Sequence, residues 1–159
     1  MEQTLLFSAC QFRERCGTWQ EAVKQACLPL EARGMVTPAY AQAIIRETEQ
    51  QGPWYILSPA FALPHARPEE GVISDKTHLS LLCLKEAVAF PEHPEVRLVI
   101  VLAAASSIQH LEMIQRLVCW LDEAEHLSQL TRITSPAQLR SVLEVTKEVM
   151  LSDAPAAGK

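Results

Sequence analysis

The apolar run from Val96 to Ala105 constrains the fold of this 159-residue chain more than any other segment. Arg97 is its only charged residue, so the run lacks the polar alternation of a strand with one wet face. It therefore predicts a strand that is buried on both faces. Ser106 and Ser107 follow at once and open the pattern of an amphipathic helix. Because such a strand needs helices on both sides, the run predicts an α/β domain.

Helical patterns before and after this strand supply the covering layers. Thr18-Trp19-Gln20-Glu21 has the spacing of a capping box and begins a helix to about Arg33, in which Pro29 predicts a kink or an early end. Thr37-Pro38 begins a second helix, which Gly52-Pro53 ends. Later helices are predicted from Ser106, near Glu123–Thr131, and from Ser135-Pro136 to about Met150.

Short apolar segments bounded by proline, glycine or charged residues predict the strands. These segments are Trp54–Leu57, Phe61–Leu63, His78–Leu84 and Val96–Ala103. In the helix after the last strand, one stripe of apolar residues is expected to face inward: Leu111, Ile114, Leu117, Val118 and Leu121. The order of helices and strands predicts a mixed sheet covered on both faces.

Length and composition favour one domain, over residues 1–150, followed by a disordered tail at 151–159 that is rich in Ala and Pro. The net charge of -5 with scattered basic residues argues against nucleic-acid binding. No apolar run approaches the ~20 residues that span a bilayer, and the N-terminus lacks the basic flank of a signal peptide, so a cytoplasmic protein is expected. Five cysteines without a C-x-x-C pair predict reduced thiols, with Cys27, Cys83 and Cys119 in the core.

One candidate for chemistry is His65, which lies between two prolines in Leu63-Pro64-His65-Ala66-Arg67-Pro68. Pro64 fixes its own φ and restricts the residue before it, so the backbone entering His65 has little freedom. Arg67 adds a positive charge two residues downstream. The segment follows an apolar run and precedes a polar one, which places it in a loop, where functional side chains are common. An ordinary loop histidine is the alternative interpretation.

The second candidate is His110, in the first turn of the helix that follows the central strand. The first N–H groups of a helix lack internal partners and carry partial positive charge, so they favour an anion. Ligand clefts in open α/β sheets lie beyond the carboxyl ends of the strands. His65, His110, Arg67 and the serines at the helix start are therefore expected to converge on a phosphoryl group.

Other chemistries have weaker support. The chain has no H-E-x-x-H motif or close ligand spacing, so neither a metal nor another cofactor is expected. No G-x-S-x-G motif suggests a serine hydrolase. His78, His93 and His126 are predicted to lie in solvated positions.

The segments around the two histidines resemble a known family. They are Ala62–Val72, Leu79-Ser80-Leu81, Leu84-Lys85-Glu86, Leu102-Ala103-Ala104, His110-Leu111-Glu112 and Gln115-Arg116-Leu117. Together they are similar to the IIA component (EIIA) of the bacterial phosphoenolpyruvate:sugar phosphotransferase system, in its mannitol/fructose branch. Gly52–Pro59 resembles the subgroup named for ascorbate and for a second mannitol system. The resemblance runs from about Trp19 to about Val145 and implies a three-layer α/β/α sandwich.

The resemblance also implies roles for the site residues. His65 matches the histidine that is phosphorylated, as a tele-phosphohistidine intermediate, and His110 matches a second histidine that holds the phosphoryl group. Arg67 and Ser107 are expected to bind the phosphoryl oxygens, and Arg46 is the candidate for an arginine that relatives supply from the preceding helix. Whether Arg46 or Arg67 contacts the group is left open. The family usually has glycine where this chain has Ala60.

The partners implied are the histidine phosphocarrier protein (HPr) as donor and a cysteine of a separate EIIB component as acceptor, with a membrane EIIC component. The acceptor must reach an open depression, for which Phe61, Ile73 and Ile108 are candidate rim residues or, alternatively, core residues. A regulatory module in which the phosphorylation state of His65 selects protein partners is the other function that the resemblance allows. Its chemistry at His65 would be the same.

Overall fold

A mixed five-stranded sheet forms the middle layer of the computed structural model, which describes residues 7–144. The strands are β1 (Ala9–Arg13), β2 (Ile56–Ser58), β3 (Phe61–Ala62), β4 (His78–Phe90) and β5 (His93–Ala103). Their spatial order is β1-β4-β5-β3-β2. β1 runs parallel to β4 and β3 parallel to β5, whereas the β4–β5 and β2–β3 pairs are antiparallel.

Helices cover both faces of this sheet. They are α1 (Trp19–Ala32), α2 (Pro38–Gln51), α3 (Ser107–Asp122), α4 (His126–Thr131) and α5 (Pro136–Glu144), with short 3-10 turns at Pro68–Glu70 and Glu123–Glu125. Alternate residues of β5 point to opposite faces. Val99 and Val101 pack in the cluster that contains α1 and α2, and Leu98 and Ile100 in the cluster that contains α3 to α5. The predicted layered α/β fold is confirmed.

The sequence analysis missed β1, which lies at the edge of the sheet beside β4. A glutamine at its centre, Gln11, is 5% exposed, and its Nε2 donates to the carbonyl of Gln25 at 2.8 Å. That carbonyl lies four residues before Pro29, whose missing N–H would otherwise have been its helical partner. The same bond therefore explains the buried glutamine and the continuation of α1 through Pro29 to Ala32, where an early end was one of the two expectations.

Other element bounds also differ from the predictions. β4 continues to Phe90 and β5 begins already at His93, so the two strands form a long hairpin. The exposed Lys85 and Glu86 lie in the part of β4 beyond its predicted end. β2 begins at Ile56 rather than at Trp54. The predicted end of the last helix at Met150 and the predicted tail lie outside the described residues.

The predicted inward stripe of α3 is wrong in two of its members. Leu111 is 59% exposed and Val118 46% exposed, and Cys119, expected in the core, is also exposed. The residues of α3 that are buried are Leu117, Trp120 and Leu121. Because apolar residues occur nearly all around this helix, periodicity alone could not identify the face that packs on the sheet.

His126 is buried rather than solvated as predicted. Its Nδ1 lies 2.7 Å from the carbonyl oxygen of Trp120, and its ring stacks on the Trp120 ring with centroids 4.1 Å apart. The imidazole thus adds a second partner to the Trp120 carbonyl in the last turn of α3, which also accepts from the backbone N–H of Glu123. His78 is only half-buried, and its two ring nitrogens lie 2.8 Å from the hydroxyls of Ser8 and Ser74.

Candidate functional site

The site lies at the edge of the sheet where the parallel strands β3 and β5 both end. The segment after β3 stays beside β5, since the amide of Leu102 donates to the carbonyl of Pro64 at 3.2 Å. α3 begins only four residues after β5 ends. The loop that carries His65 and the helix that carries His110 therefore meet at one edge.

The two histidine rings are in contact. Their centroids are 4.3 Å apart and their planes are nearly perpendicular, at 83°. Both residues are half-buried. The structure thus brings together two residues that are 45 positions apart in the sequence.

A backbone hydrogen bond orients the His65 ring. Nδ1 lies 2.8 Å from the carbonyl oxygen of Leu63. Because a carbonyl oxygen can only accept, Nδ1 carries the proton and Nε2 keeps its lone pair. Burial, with a smaller contribution from His110, lowers the pKa of His65 to about 4 against the opposing effect of the hydrogen bond to the Leu63 carbonyl. At neutral pH, His65 is a neutral imidazole with a free nucleophilic nitrogen.

His110 presents an unsatisfied nitrogen at the same place. Its backbone N–H donates to the Ser106 carbonyl at 2.9 Å, which fixes it in the first turn of α3. Its Nε2 is buried and, among the described residues, has no hydrogen-bond partner. Burial also lowers the pKa of His110. A buried polar atom without a partner costs about 1–3 kcal/mol, so an incoming oxygen that bonded to Nε2 would recover that loss.

The start of α3 offers backbone donors beside the histidines. The hydroxyl of Ser106 caps the helix by accepting from the Gln109 amide at 3.2 Å. Ser107 is the exposed first residue of α3, where N–H groups have no partner within the helix. A cleft of about 520 Å³ separates Ser106 and Ser107 from the 68–75 loop. Neither histidine lines this cleft.

The two candidate arginines both contact Glu70. Arg46 Nη2 lies 3.3 Å from one carboxylate oxygen of Glu70, and Arg67 Nη2 lies 3.8 Å from the other. The Arg67 side chain is 76% exposed. In this structure Arg67 therefore makes a surface ion pair, the usual arrangement of a loop arginine, and neither arginine touches a histidine ring in any described contact.

Sequence reasoning missed Tyr40, which fixes the backbone around His65. Its buried hydroxyl donates to the Leu102 carbonyl at 2.6 Å and accepts from the Ala66 amide at 3.1 Å. One hydroxyl thus connects α2, the end of β5 and the residue after His65. The available signal was the i, i+4 spacing of Tyr40 with Ile44, since a buried tyrosine needs a partner for its hydroxyl.

We predict that Tyr40→Phe lowers the free energy of unfolding by about 1–3 kcal/mol, because it leaves the Ala66 amide and the Leu102 carbonyl without this partner. Urea denaturation measures the change. Tyr55→Phe is the matched control, because the Tyr55 hydroxyl contacts Thr48, which keeps its own bond to the Ile44 carbonyl. Equal losses in the two variants would contradict the assigned role of Tyr40.

Trp54 is a second residue that sequence reasoning did not place at the site. It precedes β2, its side chain is 50% exposed, and its ring centroid lies 4.6 Å from that of His65 at 88°. The sequence analysis had assigned it to a strand, where an apolar residue is expected to be covered. An exposed tryptophan directly after Gly52-Pro53 carries no sequence signal that points to a histidine eleven residues later.

The three candidate rim residues separate into two groups. Phe61 is 1% exposed and belongs to the core, which was its alternative interpretation. Ile73 and Ile108 are 58% and 71% exposed.

Ala60 stands where the family usually has glycine, and its backbone is not strained, since Glu92 and Glu125 are the only described non-glycine residues with positive φ. Its carbonyl accepts from the amides of Arg97 and Leu98, both at 2.9 Å.

Across residues 7–144, no helix is both long enough and apolar enough to cross a bilayer. In the same part of the chain, no three His, Cys, Asp or Glu side chains lie where they could hold a metal ion together. The fold and the site thus define an α/β/α domain in which a neutral, oriented histidine lies against a second histidine beside a helix start.

Comparison with known proteins identifies the family. Residues 7–145 match the family described as the phosphoenolpyruvate-dependent sugar phosphotransferase system, EIIA 2. The chain is 40% identical over 126 residues to the mannitol-specific cryptic phosphotransferase enzyme IIA component of Escherichia coli, covering 79% of this chain and 84% of that protein. It is 36% identical over 132 residues to the ascorbate-specific EIIA component of the same species, covering 81% and 84%.

Solved structures give the same answer. The solution structure of the mannitol-specific cryptic enzyme IIA from Escherichia coli matches with a TM-score of 0.76 at 38% identity, over 85% of this chain and 91% of that one. A complex of the mannitol enzyme IIA with phosphorylated enzyme IIB from Escherichia coli matches with a TM-score of 0.65 at 28% identity, over 88% and 94%. The chain therefore belongs to the EIIA 2 family, whose members are phosphotransfer components of the sugar phosphotransferase system.

Proposed function

We propose that this protein carries a phosphoryl group on Nε2 of His65, accepting it from HPr and passing it to a cysteine of a separate EIIB component. A membrane EIIC component then takes up the sugar and determines which sugar is taken. The observation that carries the proposal is the 2.8 Å bond from Nδ1 of His65 to the Leu63 carbonyl, which leaves Nε2 as the nucleophile. The similarity to an EIIA solved together with phosphorylated EIIB supports the choice of acceptor.

The transfer is a reversible exchange of nitrogen–phosphorus and sulfur–phosphorus bonds. The Nε2 lone pair attacks phosphorus on the phosphohistidine of HPr, the new N–P bond forms, and the old one breaks with its electron pair returning to the donor imidazole. In the second step a thiolate of EIIB attacks the same phosphorus and the His65 N–P bond breaks. Catalysis of such steps consists mostly of positioning and stabilisation of charge.

The groups around His65 suit that stabilisation. In its Nε2–H tautomer, His110 donates to a phosphoryl oxygen from a nitrogen that has no partner among the described residues. The free N–H groups at Ser107 and the dipole of α3 favour the negative charge. Arg67 lies on Glu70 in the unphosphorylated protein, so its contribution requires it to leave that carboxylate.

The surroundings of His65 suit an exchange between two proteins. Its ring is half-buried rather than sealed, and the exposed apolar side chains of Trp54, Ile73 and Ile108 lie on the elements next to it. Both carriers must bind and leave in turn, so each interface is expected to be small, at the low end of the ~1,200 Å² class of transient complexes.

The test is incubation with phosphoenolpyruvate, the general phosphotransferase enzyme and HPr, followed by intact mass measurement. We expect the mass to increase by one phosphoryl group, and only when all three components are present. An unchanged mass under conditions in which HPr itself becomes phosphorylated would overturn the proposal.

Replacing Arg67 by alanine should slow transfer by only a few-fold, because an exposed ion pair to Glu70 contributes little and does not place the guanidinium on the histidines. The initial rate of labelling from phosphorylated HPr measures the effect. Arg15→Ala, which removes an exposed arginine paired with Glu86, is the matched control. A loss as large as that expected for His110→Ala would show that Arg67 moves onto the phosphoryl group.

A further inference from the structure

Trp54 makes a contact with His65 that the phosphotransfer chemistry does not explain. The His65 ring has one aromatic neighbour from α3, His110 at 4.3 Å, and a second from the segment before β2, Trp54 at 4.6 Å. Both are nearly perpendicular to it. Trp54 is itself supported by the Tyr55 ring, whose centroid is 5.4 Å away. The imidazole thus packs against two rings from different parts of the chain.

We propose that Trp54 is a positioning residue for His65, holding the imidazole so that Nδ1 stays on the Leu63 carbonyl while its indole keeps water from one side of the ring. The structural part of this proposal concerns the unphosphorylated protein and stands alone. Its consequence for catalysis rests on the proposed function.

The backbone around Trp54 is suited to hold the indole in place. The Trp54 amide donates to the Gly52 carbonyl at 3.0 Å, directly after the C-terminal cap of α2. The next residue, Tyr55, is 2% exposed and its hydroxyl lies 2.7 Å from that of Thr48. The Tyr55 carbonyl also accepts from the Leu63 amide at 3.1 Å, which ties the Trp54 segment to the chain that leads into His65.

The two ring contacts restrict the orientation of the His65 ring. The perpendicular arrangement is one that the quadrupoles of aromatic rings favour. The Leu63 hydrogen bond fixes the position of Nδ1 but leaves the ring free to tilt about that contact. Trp54 and His110 restrict that tilt from two directions, so loss of Trp54 lets the ring sample orientations in which Nε2 no longer faces an incoming phosphorus.

The shielding has a separate and measurable consequence. Burial is the largest cause of the low pKa of His65, about 4. Among the described residues, His110 faces the ring from α3 and the Tyr40 hydroxyl contacts the Ala66 backbone, whereas Arg46 and Arg67 both lie on Glu70. Removing Trp54 changes none of these charges. It exposes the imidazole, so the pKa of His65 rises toward its ordinary value.

The experiment compares Trp54→Ala and Trp54→Phe with the unaltered protein. Two-dimensional NMR of the imidazole nitrogens in the unphosphorylated protein follows the titration of His65. We expect Trp54→Ala to raise the pKa of His65 by about one unit or more and Trp54→Phe to restore most of the difference, since phenylalanine replaces much of the cover. Leu57→Ala removes a similarly exposed apolar side chain from β2 and should leave the titration unchanged.

Transfer from phosphorylated HPr gives the second readout. In Trp54→Ala, the acidic limb of the pH–rate profile should shift to higher pH together with the titration of His65, because only the neutral imidazole attacks phosphorus. At pH 8 the ring is neutral in either protein, and saturating phosphorylated HPr removes any effect of weaker docking through the exposed indole. The loss of rate that remains under these conditions, expected to be several-fold, reports orientation. The Phe variant should recover it.

An unchanged His65 titration in a folded Trp54→Ala protein would overturn the proposal, and so would failure of Trp54→Phe to recover either property. Since Trp54 is half exposed, its removal is not expected to unfold the domain, which circular dichroism verifies. If the titration shifts as expected but no phosphorylation is observed in any form of the protein, the proposed function fails while the positioning role stands.

Discussion

We expect the replacement of His65 by alanine to abolish phosphorylation of the protein by phosphoenolpyruvate, the general enzyme and HPr. His65 is the imidazole whose Nδ1 is held by the Leu63 carbonyl, which leaves Nε2 as a nucleophile beside the start of α3. The label on the unaltered protein should be acid-labile and base-stable, as expected for phosphorus on an imidazole nitrogen. Intact mass before and after acid treatment, and before and after base treatment, measures the two properties.

His93→Ala is the matched control for this experiment. His93 is the first residue of β5, so it lies about 30 Å along the strand from the end where His65 is located. It is half-buried like His65, and its removal tests for a general effect of losing a histidine. We expect full labelling of His93→Ala. Labelling of His65→Ala at the level of the unaltered protein would remove the central claim, and an acid-stable label would point to a serine.

Replacing His110 by alanine should slow phosphoryl transfer on the order of 10²-fold, the loss typical of removing one donor to a developing charge. Stability should change little, because Nε2 of His110 has no hydrogen-bond partner in the described structure, so no bond at that nitrogen is lost. This combination of a slow rate with unchanged unfolding separates a functional histidine from a structural one. Rapid-quench labelling and urea denaturation measure the two quantities.

His126→Ala provides the opposite combination. Its ring stacks on Trp120 and its Nδ1 contacts the Trp120 carbonyl, so its loss should lower the free energy of unfolding. His126 follows the C-terminal end of α3, whereas His110 lies in the first turn of that helix. Transfer by the folded fraction of His126→Ala should therefore be normal. If folded His110→Ala transferred at the normal rate, His110 would be a structural residue only.

Local sequence patterns were enough to predict the central strand and most helix starts, and to select His65 and His110 as candidate site residues. The 96–105 run is apolar on both faces, and such a strand can be buried in few ways, so the layered α/β fold followed from it. Thr18 accepts from the amide of Glu21, as its capping-box spacing predicted, because an N-cap is satisfied within four residues. Ser106, predicted to open α3, accepts from the amide of Gln109 in the same way. The proline-bounded segment and the helix after the strand identified His65 and His110 by similarly local signals.

Tertiary contacts decided the rest. β1 is a strand because it pairs with β4, and its buried Gln11 is satisfied by the Gln25 carbonyl; neither contact has a trace in the β1 segment alone. The buried face of α3 depends on which of several apolar rows meets the sheet. Arg67 lies on Glu70 because the 3-10 turn at Pro68–Glu70 presents that carboxylate to it.

The immediate surroundings of His65 were also beyond sequence reasoning. Tyr40 and Trp54 lie 25 and 11 residues before it and reach it only through the packing of α2 and the segment that enters β2. The sequence by itself determined which residue types stand at the edge of the sheet. Only the tertiary structure decided which nitrogen of His65 is free and what shields the ring, because orientation and burial arise from contacts between segments that are distant along the chain.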